Sequence, residues 1–179
     1  KNNLLIDKKL NYHDLKINSK SIQYEHIKAD KIIFCQGYSG LGNPYFNNLN
    51  LKPTKGEVIT IHSKDLKLKQ IIHAGFLFSS INNDHYSIGA TYDWSQIDTV
   101  VTSNARERIS SIFEKYVNLP YNIKNQKAGI RPSTFDRRAF VGSHPNYSHV
   151  YILNGLGTRG LLLAPYLSNN LVNSVFFNQ

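Results

Sequence analysis

The feature that most constrains this chain is an apolar strand that runs into a glycine-rich turn and then an apolar helix, close to its C-terminal end. Val150-Tyr151-Ile152-Leu153 is followed by Gly155-Leu156-Gly157-Thr158-Arg159-Gly160, which matches G-x-G-x-x-G. From about Leu161 to Phe177 a helix is expected, with Ala164, Leu167, Leu171, Val172 and Val175 on one face. Pro165 fits there, because first-turn amides have no partner inside a helix. This is the local context of a dinucleotide fingerprint. The complete fingerprint also needs a second strand and an acidic residue about 20 positions on. Neither is found before Gln179, so the motif alone does not specify a nicotinamide site. The local physics stands regardless. Glycines let a backbone approach a ligand closely, and a helix N-terminus offers free N–H donors. Something electron-rich is expected in front of Thr158–Leu161; the alternative is a tight turn packed on itself.

The rest of the chain reads as two interleaved strand systems. Strands are expected at 4–7, 12–17, 21–27 and 31–35. The last, with Ile32-Ile33-Phe34-Cys35, is a continuous apolar run suited to a parallel sheet. It ends at the glycine-rich turn Gln36–Gly42. Further strands are expected at 58–62, 70–74, 76–80, 85–91, 124–130, 139–142 and 149–153. A helix is expected over 104–117. Asn104 and Glu107 would form a capping box, and Ile109, Ile112, Phe113, Tyr116 and Val117 an apolar stripe. The fold class expected is α+β: an antiparallel sheet with a flanking helix at 52–142. That unit is inserted into an α/β domain remnant formed by 1–51 and 143–179.

Composition narrows the function classes. The chain has 179 residues, a net charge of +9 and one cysteine. A single thiol excludes an internal disulfide or a cysteine-based zinc site, and a reducing, cytoplasmic location is expected. Cys35 reads as core. The longest apolar stretch is far short of the ~18 residues that span a bilayer. The seven histidines show no metal-ligand spacing, and Gly37-Tyr38-Ser39-Gly40-Leu41 misses a nucleophile elbow by one position. The positive charge is mostly lysine, 15 against 6 arginines, and scattered as on a solvated surface. A nucleic-acid partner is the alternative. Four of the six arginines fall between 131 and 159. In a lysine-preferring chain these are expected where a planar fork is needed. Arg137 and Arg138 read as surface salt bridges. Arg131 and Arg159, beside proline and glycine, read as functional.

Several segments, in order, resemble the D-amino-acid-oxidase-type FAD-dependent oxidoreductases. They are Ala29–Gly37, Lys55-Gly56-Glu57-Val58, Tyr86–Thr91, Gly129-Ile130-Arg131-Pro132 with Asp136, and Gly142 with Gly155–Pro165. The chain resembles in particular the glycine oxidase branch and the oxidase half of the bifunctional methylaminomethyl-uridine tRNA-modifying enzyme. The resemblance implies an FAD enzyme that oxidises the C–N bond of an amino acid or secondary amine. This chain would be its C-terminal, substrate-binding part. The main FAD-binding segment is then expected upstream of residue 1, consistent with the missing initiator methionine.

The resemblance also implies roles. Arg131 should clamp the substrate carboxylate bidentately; the alternative is an ion pair with Asp136. Gly155, Gly157, Thr158, Arg159, Gly160 and Leu161 should face the pyrimidine end of the flavin, and Gly37 should let the backbone pass close to the cofactor. His73, Phe76 and Tyr92 are candidate pocket walls, with Phe76 where glycine oxidase has a tyrosine. Two other functions remain open: a stand-alone ligand-binding domain without catalysis, and an FAD-dependent tRNA-modifying oxidase.

Overall fold

A computed structural model describes residues 5–177. Strands β1 (Leu15–Ile17), β2 (Ile22–Tyr24) and β3 (Ile27–Ala29) form a small antiparallel sheet. The strand expected at 12–17 starts later, because Tyr12–Asp14 is a 3-10 turn whose His13 N–H donates to the Asn11 side chain. The strand expected at 21–27 breaks at Glu25, which has φ 54° and turns β2 back onto β3. Of the piece expected at 4–7, Leu4 lies outside the described residues and 5–7 form no strand.

β4 (Ile32–Phe34) pairs in parallel with β11 (Val150–Asn154), bringing together segments more than a hundred residues apart. β10 (Phe140–Ser143) lies antiparallel on the other edge of β11. Leu15, Ile22, Phe34, Phe46, Val150 and Ile152 form the core beneath this sheet. Cys35 does not join it. β4 ends at Phe34, and the next residue turns outward and is exposed.

The intervening chain builds a five-stranded antiparallel sheet in the order β6 (Ile72–Ala74), β7 (Phe76–Asn82), β8 (His85–Gly89), β5 (Thr54–His62), β9 (Asn122–Arg131). Alternation divides each strand between two faces. Ile59 and Ile61, with Phe76, Phe78, Tyr86 and Ile88, pack against Ile109 and Phe113 of helix α1 (Ser103–Glu114). Gly56, Val58, Gly129 and Arg131 belong to the other face, as the β5–β9 register requires.

α1 is capped by Thr102, whose hydroxyl accepts from the Ala105 N–H, and not by the expected Asn104–Glu107 box. The carboxylate of Glu57 fixes this cap. It accepts from the Thr102 N–H and hydroxyl, each at 2.9 Å, and from Gln126 Nε2 at 2.8 Å. The helix stops short of Tyr116, which is exposed. Helix α2 (Gly160–Phe176) contains Pro165 and buries Leu171 and Val175, but its first-turn residues Leu161 and Leu162 are uncovered. No helix of the described residues is long and apolar enough to cross a membrane.

Candidate functional site

Four segments converge on a cavity of about 390 Å³. They contribute Lys52 and Thr54, Tyr92 and Trp94, Ser133–Phe135 with Arg137, and Gly155–Arg159. Short backbone links hold them together. The Lys52 N–H donates to the Ser133 carbonyl at 2.6 Å, and the Gly157 N–H to the Pro132 carbonyl at 3.1 Å. Lys55 and Asp93 exchange two backbone hydrogen bonds, which anchors the loop carrying Tyr92 and Trp94 to the start of β5.

Arg131 ends β9 beside this cavity. Its Nη1 donates to the Thr91 carbonyl at 3.2 Å, and its guanidinium lies 4.8 Å from the centre of the Tyr92 ring. A Cβ at Gly56 would collide with that guanidinium, so the glycine of Lys55-Gly56-Glu57 makes room for the arginine. Partial burial pushes the Arg131 pKa below its ordinary value, with Tyr92 acting weakly the other way. The group remains a cation at neutral pH. Among the described residues no carboxylate lies within 4.0 Å of it. The alternative pairing with Asp136 is not made; Asp136 instead accepts from the Arg138 N–H. A partly buried guanidinium with free donors is suited to a planar anion such as a carboxylate.

The two glycine turns are brought together by Asn154, a buried residue at the end of β11. Its Nδ2 donates to the Gly37 carbonyl at 2.8 Å, and its Oδ1 accepts from the Gly155 N–H. Gly37, Gly155 and Gly157 all have positive φ, at 59°, 73° and 54°, where a side chain is disfavoured. Space beside Gly37 is open. Neither the 3-10 turn Gly157–Arg159 nor α2 has a side-chain cap, so Thr158, Gly160 and Leu161 sit at an uncapped helix start. Arg159 is exposed at the cavity edge. The lining contains three cations, Lys52, Arg137 and Arg159, and no acidic residue. Arg137 is expected to form a surface ion pair, but among the described residues it makes none, and it lines the cavity instead. A helix start without a side-chain cap, beside unopposed cations, suits an electron-rich ligand.

Tyr92 joins the site, but two other expected pocket residues do not. Phe76 is 5% exposed and packs in the core against α1, the face opposite Arg131. His73 shares a face with Arg131 but lies on β6, at the far edge of the sheet. Four strand spacings of about 4.8 Å separate β6 from β9, and the row of His73 meets β9 at Lys127, four residues short of Arg131. Sequence reasoning missed Gly56, Lys52, Trp94, Phe135 and Asn154. Of these, an asparagine on the buried side of an apolar strand, directly before a glycine turn, was a readable signal. Among the described residues no group of histidine, cysteine, aspartate and glutamate could hold a metal.

The family model described as DAO, FAD dependent oxidoreductase, matches residues 13–173. The chain is 27% identical over 165 residues to glycine oxidase of Bacillus subtilis, covering 84% of this chain and 42% of that protein. It is 26% identical over 166 residues to the tRNA 5-methylaminomethyl-2-thiouridine biosynthesis bifunctional protein of Marinobacter nauticus, covering 83% of this chain and 26% of that protein. Its fold matches the crystal structure of glycine oxidase from Bacillus cereus with a TM-score of 0.77 and 22% identity, over 93% of this chain and 48% of that one. The chain spans less than half the length of each of these proteins.

Proposed function

Because the chain belongs to the family of FAD-dependent oxidoreductases, we propose that it forms the substrate-clamping and flavin-facing part of an enzyme that oxidises the C–N bond of an amino acid or secondary amine. Residues 52 to about 139 would be the substrate-binding unit. Residues before 52 and after 139 would belong to the FAD-binding domain. We set the second boundary ahead of β10, because β10 pairs with β11.

The observation that carries this reading is Arg131: a partly buried guanidinium, stacked on Tyr92, with no carboxylate partner among the described residues. A substrate carboxylate held there by two parallel hydrogen bonds is fixed in position and orientation, and such positioning supplies much of the catalysis. The Tyr92 ring limits how the guanidinium swings. The positive end of α2 would favour negative charge developing on the pyrimidine side of the cofactor. The chemistry that FAD supplies when bound is acceptance of a hydride from the carbon bearing the amine, leaving an imine that water hydrolyses.

The test is a visible absorption spectrum of the protein expressed from its native reading frame. Flavin bands that bleach anaerobically with an amino acid or secondary amine are expected, and the bleaching amine names the substrate. A colourless protein that takes up no added FAD would leave a ligand-binding domain without catalysis. The net charge of +9 keeps a tRNA-linked substrate as a second reading. Salt-dependent tRNA binding would favour it.

A further inference from the structure

β4 and β11 are adjacent parallel strands, and each leads into a glycine turn. The crevice beyond the carboxyl ends of such strands is where open α/β sheets take their ligands. Asn154, the last residue of β11, spans that crevice and is 3% exposed. Its Nδ2 donates to the Gly37 carbonyl on one side, and its Oδ1 accepts from the Gly155 N–H on the other, both at 2.8 Å. Gly40 makes room for the amide, because a Cβ there would come within 2.6 Å of Nδ2. The near side of the first turn is held differently: Tyr12 Oη and Asn43 Nδ2 both donate to Gln36 Oε1. Among the described residues Asn154 is the one side chain that hydrogen-bonds to both turns. The link continues past it, since the Gly157 N–H donates to the carbonyl of Pro132, next to Arg131.

We propose that Asn154 is a positioning residue: it fixes the spacing of the two glycine turns, and through their backbone it sets how tightly the site holds the flavin. This rests on the flavin-facing role given to these turns above. Two replacements separate the role from packing. Asn154→Leu keeps the volume and removes both hydrogen bonds. Asn154→Asp keeps an acceptor for the Gly155 N–H. Ionised, that carboxylate opposes the Gly37 carbonyl; protonated, it donates to it as the amide does. Burial pushes a carboxyl pKa upward, so mild acid restores the donor.

Trp94 is the chain's one tryptophan and lines the cavity, so quenching of its emission by added FAD reads affinity without turnover. The protein expressed from its native reading frame is freed of flavin and titrated with FAD at about pH 8 and about pH 5.5, on either side of a raised carboxyl pKa. At the higher pH both variants should bind FAD about tenfold more weakly than the wild type, the fold-change of one lost buried hydrogen bond. At the lower pH the aspartate variant should regain most of that affinity relative to the wild type, and the leucine variant none. Amide hydrogen exchange without FAD gives the second readout. In Asn154→Leu the segments 36–43 and 155–160 should exchange faster together, while β5 and β9 stay as protected as in the wild type. A leucine variant that binds FAD like the wild type, an aspartate variant that does not recover in acid, or loosening of one segment alone overturns the proposal. Faster exchange spreading through β5 and β9 also overturns it and leaves Asn154 a part of the fold only. The flavin-facing reading fails separately, when the wild type takes up no FAD; the exchange result then decides by itself whether Asn154 ties the turns.

Discussion

The two faces of the five-stranded sheet differ sharply although the same strands build both. On β5, Ile59 and Ile61 point into a dry core closed by Ile109 and Phe113 of α1. On the opposite face, Gly56 and Gly129 have no side chain, and Arg131 fills the space over Gly56. One face is shaped by volume filled and the other by volume left empty. That difference separates residues whose loss should unfold the chain from residues whose loss should blunt only ligand recognition.

The largest effect should come from the filled face. Phe113 is 1% exposed and meets Phe78 and Tyr121 edge-on. Phe113→Ala should cost about 3–5 kcal/mol through lost burial and the cavity left behind. Urea unfolding measures this. Affinity for the proposed amine substrate in the folded fraction should not change, because α1 touches the site only through the sheet. A loss of affinity matching the loss of stability would mean that the two faces are not separable.

The sharper test lies on the empty face, where two glycines sit opposite each other in the β5–β9 register. A methyl at Gly56 collides with the Arg131 guanidinium, whereas a methyl at Gly129 meets nothing within 4 Å. Gly56→Ala should displace the guanidinium and weaken substrate affinity about tenfold, roughly one charge-assisted hydrogen bond. Gly129→Ala should leave it unchanged. Neither should cost more than about 1 kcal/mol of stability, because the colliding group is the end of a flexible side chain. Equal effects of the two substitutions on affinity would show that Gly56 is not there for Arg131.

The same division explains what the sequence made legible. Core spacing is periodic, so α1 is expected at 104–117 and forms at 103–114. The apolar strand and glycine turn at 150–160 form as read. Phe76 was misplaced because the face a strand residue occupies depends on pairing register, which spacing alone does not fix. The cap of α1 was misplaced because its acceptor, Glu57, is distant in sequence. Lys52, Trp94 and Phe135 carry no periodic signal; they meet because Lys52 bonds to Ser133, and Lys55 to Asp93, across the fold. Arg131 was legible because arginine is scarce in this chain, whereas Gly56 gained its meaning only once the β5–β9 pairing placed the guanidinium over it.

The smallest effect concerns the seam between the faces, where the Tyr92–Trp94 loop is tied to β5. Lys55 is 1% exposed, and its Nζ donates to Asp98 Oδ1 at 2.6 Å. That hydrogen bond, with a backbone one from Val100, holds the Asp98 pKa below its ordinary value of 3.8. A carboxylate with a depressed folded-state pKa contributes stability that is fully present above the unfolded value. The contribution is lost as pH falls through the folded one. Asp98 should therefore add an acid-side slope to stability that begins near pH 3.8 and continues below it. Asp98→Asn should flatten that slope and leave unfolding near pH 7 only slightly easier, because the aspartate is largely solvated. Trp94 emission, followed through the same titration, should shift with the slope in the wild type and not in the variant. If Trp94 shifts alike in both, the loop is held by the Lys55–Asp93 backbone pair alone, and the buried lysine serves α1 through Glu57 rather than the site.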